Sequence, residues 1–134
     1  MAVRALLVAL AAARERLVAL ELSLRGRPDV VQTWSMMDCR HALAGPALEW
    51  RVEAELRGGA VLTWWLEACQ DDGDWVLEAS VTLEGDRAAR TLVQVPTRLT
   101  PATGELGPDL AAQVSALADA VPAERIADLA RPPG

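Results

Sequence analysis

Between Glu49 and Leu99, apolar and polar residues alternate through four successive runs. A period of two marks a strand with one face buried. In EWRVEAEL, Trp50, Val52, Ala54 and Leu56 fall on one side and Glu49, Arg51, Glu53 and Glu55 on the other. AVLTWWLEAC sets Leu62, Trp64, Leu66 and Ala68 against Val61, Thr63, Trp65, Glu67 and Cys69. WVLEASVTL points Trp75, Leu77, Ala79, Val81 and Leu83 inward, and TLVQVPTRL offers Val93, Val95 and Leu99. Gly58-Gly59, QDDGD and EGDRAAR supply the turns. The pattern predicts an antiparallel meander. Pro96 cannot donate to a ladder, which makes the last strand an edge.

The parity of the first turn decides which tryptophan is inside. An odd loop, such as three residues with a bulge at the glycines, pairs Leu56 with Leu62 and keeps Leu62, Trp64 and Leu66 inward. A two-residue turn exchanges the faces and brings Trp65 in. Leu62, Trp64 and Leu66 are the stronger apolar set, so the odd loop is expected, with Trp64 and Trp75 in the core.

Residues 2–25 carry a different period. Leu6, Leu10, Ala13, Leu17, Leu20 and Leu24 follow helical spacing, with Arg4, Arg14, Glu15, Glu21 and Arg25 opposite. Leu7, Ala11, Val18 and Leu22 interrupt the polar face as a thinner second stripe, so the helix wants two neighbours. Gly26 and Pro28 end it. VVQTWSMMDCRH then reads as a further strand, its mixed pattern suggesting burial on both faces, and ALAGPAL as a loop into the meander. After the linker TPATGELGP, Leu110, Val114, Leu117 and Val121 form a helical stripe, and Pro122 opens a last short helix with Ile126 and Leu129.

These elements predict an α+β fold: an N-terminal helix, a five-stranded mostly antiparallel meander sheet and C-terminal helices. They form a single domain over residues 1–130, with 131–134 as a frayed tail. Helix plus meander resembles cystatin-like domains and several small bacterial chaperones and immunity proteins. That likeness is one of architecture and carries no function.

At 134 residues, half of them apolar, the chain buries a real core. Lys, Asn, Phe and Tyr are absent and Ile126 is the single isoleucine, a bias of GC-rich codons. Five tryptophans therefore do all the aromatic packing. The net charge of −6 is uneven. Residues 1–28 hold five Arg against Glu15 and Glu21, while residues 49–86 hold ten acids against Arg51 and Arg57. An acidic sheet disfavours nucleic acid and allows a basic partner. The apolar run after Arg4 mimics an export signal, but the helical pattern continues unbroken to Leu24. No run approaches the roughly 20 residues of a membrane span. Two cysteines, Cys39 and Cys69, are too few for a disulfide scaffold and could pair only on neighbouring strands. The expectation is a cytoplasmic bacterial protein with free thiols.

No catalytic, metal or nucleotide motif stands out, and no cofactor is expected. Cys39 and His41 lack the second pair of ligands that structural zinc needs. Two residues apart on a strand, they also sit about 7 Å apart, too far for nucleophile and base. Asp71, Asp72 and Asp74 miss the calcium-loop spacing and read as a hairpin turn. No two carboxylates are set apart as acid and base.

Trp65 is the most informative residue. The expected register places it on the outer face, flanked by Glu53 and Glu78, with Glu67 opposite Arg51. A tryptophan ringed by carboxylates has the composition of an interaction surface. The alternative is that a terminal helix covers this face or that the register is slipped. The sequence thus points to a non-catalytic protein-binding module of the adaptor, chaperone or antitoxin kind. Trp65, Glu53, Glu67 and Glu78 form its partner patch, and the second helical stripe makes it a homodimer. A pocket between helix and sheet, lined by Trp34, Trp64 and Trp75, is a second possibility. A purely structural dimer is a third.

Overall fold

A computed structural model describes residues 2–42 and 45–131, and for Ala2, His41 and Ala42 only the backbone. The frayed tail expected at 131–134 lies outside them apart from Arg131. The chain forms a helix α1 (Ala2–Arg25), five strands and two further helices. The strands are β1 (Val30–Ala42), β2 (Gly45–Leu56), β3 (Val61–Asp71), β4 (Asp74–Glu84) and β5 (Ala89–Thr100). Helices α2 (Leu106–Ala118) and α3 (Ala123–Leu129) follow. The architecture is α+β, with all five strands antiparallel in the sheet order β1-β2-β3-β4-β5.

The alternation of the sequence becomes the two faces of this sheet. Val52, Ala54, Leu62, Trp64, Leu66, Leu77, Ala79 and Val81 are buried on one face, beneath α1 and α2. Helix α1 lies over β1 and β2, and α2 over β3 to β5. The two helices run side by side in the same direction, since α1 meets the start of α2 at Ala5–Ala12 and its end near Arg16. Ala9 of α1, buried like Ala13, joins the predicted stripe. Helix α3 adds Ile126 to the core, and its C-terminal end lies against Gly58 of the β2–β3 turn.

Turn chemistry sets the register. The β2–β3 turn is the three-residue loop Arg57-Gly58-Gly59. Gly59 N–H donates to Leu56 O at 2.9 Å and Leu56 N–H to Ala60 O at 2.8 Å. Gly59 sits at φ 95°, a conformation natural to glycine. The loop is odd, as expected, so Trp64 is inside at 1% exposed and Trp65 outside. It closes one pair tighter than predicted, however, and sets Leu62 opposite Ala54 rather than Leu56. At the β3–β4 turn, Asp72 (φ 52°) and Gly73 (φ 87°) make the mirror-image two-residue hairpin that strand twist favours.

Two expectations are corrected at the sheet edges. Strand β1 is not buried on both faces: from Val31 to Arg40 every side chain is exposed except half-buried Thr33. It is an edge strand, and among the described residues no strand pairs beyond it. At the other edge, β5 bulges opposite the step from Leu77 to Ala79, where Arg98 pairs with Leu77 and Val95 with Ala79. The extra residue at Pro96-Thr97 reverses the faces. Leu99 therefore points outward, 68% exposed, and Thr100 is buried in its place, donating to Asp109 at 2.7 Å. ALAGPAL is also not wholly a loop, because β1 runs to Ala42 and β2 begins at Gly45.

Candidate functional site

Among the described residues, the helices that pack on the sheet lie on its inner face and none covers the outer one. Its side chains line up in cross-strand rows. One row runs Met36, Arg51, Trp65, Ser80 and Gln94 from β1 to β5. Trp65 is thus flanked by Arg51 and Ser80, not by Glu53 and Glu78. Each flank has its own turn as the reason: the tighter β2–β3 turn moves β2 by two positions against β3, and the Asp72-Gly73 turn moves β4 by two against β3, both preserving the face. Glu53 instead faces Trp34 and Thr63. Glu67 stands between Glu49 and Glu78, not opposite Arg51.

The next row is Asp38, Glu49, Glu67 and Glu78, four carboxylates on four adjacent strands. Like charges directly opposite each other weaken a sheet. Arg40 offsets part of this: its guanidinium donates to Glu49 at 3.2 Å and to Glu67 at 3.1 Å, and lies 3.8 Å from Asp38. Hydrogen bonds to Glu49 and Glu67 hold Arg40 more firmly protonated than usual. Arg51 turns the other way. It lies 3.5 Å from the Met36 sulfur and 3.7 Å from Glu53. A strip of Trp34, Met36, Arg51 and Trp65 therefore crosses three strands beside the acidic row.

Of the residues singled out by sequence, Trp65, Glu67 and Glu78 come together, and Glu53 is joined to them through Arg51. Met36 and Arg40 were missed, and Trp34 was expected in a pocket on the helix side instead of on this face. Polar residues scattered on both sides of VVQTWSMMDCRH, at Gln32, Thr33, Ser35, Asp38 and Arg40, are the signature of an edge strand and could have placed them on this face.

The remaining chemistry is sparse. Cys39 and Cys69 are free and separated by β2. Burial, then the charges of Glu67 and Glu78, push the Cys69 thiol up, so it stays protonated at neutral pH. The side chain of His41 lies outside the described residues. Among those described, no group of three or more His, Cys, Asp and Glu is placed to hold a metal ion. A cleft of about 520 Å³ opens between the first halves of α1 and α2 and is lined by Val8, Ala9, Leu106 and Pro108 together with Arg4 and Glu105. It does not involve Trp34, Trp64 or Trp75, and Trp34 lies across the sheet from the core. No described helix is long and apolar enough to cross a membrane, which says nothing of strands. Compared with protein-family models, curated proteins and solved structures, the chain matches none.

Proposed function

We propose that the chain is a non-catalytic protein-binding module, acting in the cytoplasm, that takes its partner on the outer face of the sheet. One observation carries this reading. A sheet face five strands wide is uncovered, yet has a half-buried tryptophan, Trp65, at its centre and apolar Trp34 and Met36 beside it. A large aromatic ringed by polar groups suits the anchor of an interface, where a few such residues dominate affinity. The row of Asp38, Glu49, Glu67 and Glu78 adds a charge preference for a basic segment, and Arg40 satisfies it only in part. Glu53 sits at the rim with Arg51.

Trp65→Ala in a pull-down from host extract, paired with circular dichroism, tests the proposal. A folded variant that loses a partner captured by the wild type supports it, and capture should weaken with added salt. A folded variant that keeps every partner makes the face a solvated sheet surface. An unfolded variant makes Trp65 structural.

A second reading concerns self-association. Leu7 and Leu22, on the second stripe of α1, are 52% and 58% exposed, so α2 does not cover them. The chain is a homodimer in this reading, with the stripe as part of its contact.

A further inference from the structure

We infer that two copies pair antiparallel through β1, about a two-fold axis at Met36, so that two five-stranded sheets become one of ten. This rests on the homodimer reading and specifies its contact.

The exposed apolar surface selects the edge. Among the described residues, every exposed large apolar side chain except Leu99 belongs to α1 or β1. The two edges of the sheet also differ in kind. Strand β5 is protected by Pro96, by bulges and by Arg90 and Arg98, devices that block edge-to-edge pairing. Strand β1 has one irregularity, at Val31, and otherwise a regular ladder to β2 along its thirteen residues. Its far side presents a row of unpaired backbone donors and acceptors.

Symmetry and charge then select the register. A two-fold axis normal to the sheet keeps each side chain on its own face. Centred on Met36, it uses the whole of Val30–Ala42. Across the junction Trp34 meets Asp38 and Gln32 meets Arg40 on the outer face, while Ser35 meets Met37 on the helix face. No like charges oppose each other. An axis at Asp38 or Arg40 would set identical charges together.

The helix layer fits the same axis. Helix α1 stands above β1 and leaves two clefts beside it. One, about 140 Å³, is bordered by Val18, Ser35, Met37 and Trp50, and another, about 260 Å³, by Leu7 and Cys39. In this register Met37 of the second copy stands opposite Ser35, at the rim of the first cleft. Thirteen residues of strand span roughly 44 Å. A stable interface takes about 800 Å² per protomer, and the strand edge contributes to it together with the helix layer above. Pairing also joins the two Trp34–Met36 strips into one continuous outer face.

The test begins with sedimentation of the full chain at micromolar concentration, where a species of twice 14.3 kDa is expected. Met36→Cys, in a chain with Cys39→Ser and Cys69→Ser, should then cross-link between copies on oxidation or with a short bis-maleimide, and Leu99→Cys in the same background should not. In the native chain the two Cys39 thiols would lie roughly 20 Å apart, so oxidation should leave it uncross-linked. Met37→Glu should weaken the dimer roughly 100-fold while preserving circular dichroism, because it buries two carboxylates. A monomer would remove the homodimer reading and this pairing together. A dimer that cross-links through native Cys39 or through Leu99→Cys, or fails to cross-link at Met36→Cys, would keep the homodimer and overturn the β1 contact.

Discussion

The side-chain amide of Gln113 donates to the backbone carbonyl of Pro96 at 3.1 Å. The same nitrogen donates to Leu77 O at 3.1 Å, and the amide oxygen accepts from Arg98. Gln113 is fully buried and reaches from α2 into the place where β5 bulges away from β4. A bulge leaves ladder groups unpaired, and a buried carbonyl without a donor is costly. One glutamine thus serves both sides of the irregularity. Gln113→Leu should destabilise by about 2 kcal/mol in denaturant titration, because it removes the donor without removing the carbonyls.

The bulge has a second measurable effect. Since Leu99 points to solvent, Leu99→Ser should change stability by no more than about 0.5 kcal/mol. Leu77→Ala, on the buried face of the neighbouring strand, should cost about 2–5 kcal/mol. Equal losses at the two positions would mean that β5 has no reversal at Pro96.

Trp64 fills the middle of the core at 1% exposed, yet its indole N–H has no partner. Removing the side chain and removing the N–H should therefore differ. Trp64→Ala is expected to cost about 3–5 kcal/mol through the cavity it leaves. Trp64→Phe should cost well under half of that, since it relieves a buried donor that made no hydrogen bond. Comparable losses would show that the N–H is satisfied in solution.

Asp29 predicts a pH effect. Arg27 donates to both of its carboxylate oxygens, at 2.8 and 2.6 Å, and this pairing holds Asp29 below its ordinary value of 3.8. A depressed carboxylate stabilises the fold above its unfolded pKa and loses that contribution as pH falls through the folded one. The advantage of the wild type over Asp29→Asn should be constant from neutral pH to about pH 5 and shrink below about pH 4. An advantage unchanged at pH 2.5 would mean that the pair does not persist in solution.

Much of this fold was legible because the sheet is half-buried and antiparallel, so each inward residue announces itself by parity. Parity is insensitive to slips of two. That is why Trp65 was placed on the correct face but beside Glu53 and Glu78, when Arg51 and Ser80 are its neighbours. A Gly-Gly pair allows several odd loops, and only the contact of Leu56 with Ala60 distinguishes them. Leu99 was misplaced because nothing in VQVPTRL separates a proline at a plain edge from a proline in a bulge. The partner of that bulge, Gln113, lies on a different element. Trp34 and Met36 were hidden for another reason: a strand exposed on both faces has no apolar period to read.

The order in which neighbours in space follow neighbours in sequence has a kinetic meaning. Every strand pairs with the next along the chain, so the sheet closes through short loops at small entropic cost. Helix α1 is the exception. Its Arg16 binds Asp119, 103 positions away, and most of its packing is against α2. Closing that circuit requires the sheet to be in place first. The expected nucleus is therefore in the hairpins, with α1 docking late. Enlarging Ala13 to Val should accelerate unfolding and leave the refolding rate nearly unchanged, whereas Leu66→Ala should slow refolding. Stopped-flow chevrons for the two variants would show it. If α1 is the last element to arrive, a chain emerging from synthesis carries its first 25 residues unsatisfied until nearly all the others have been made.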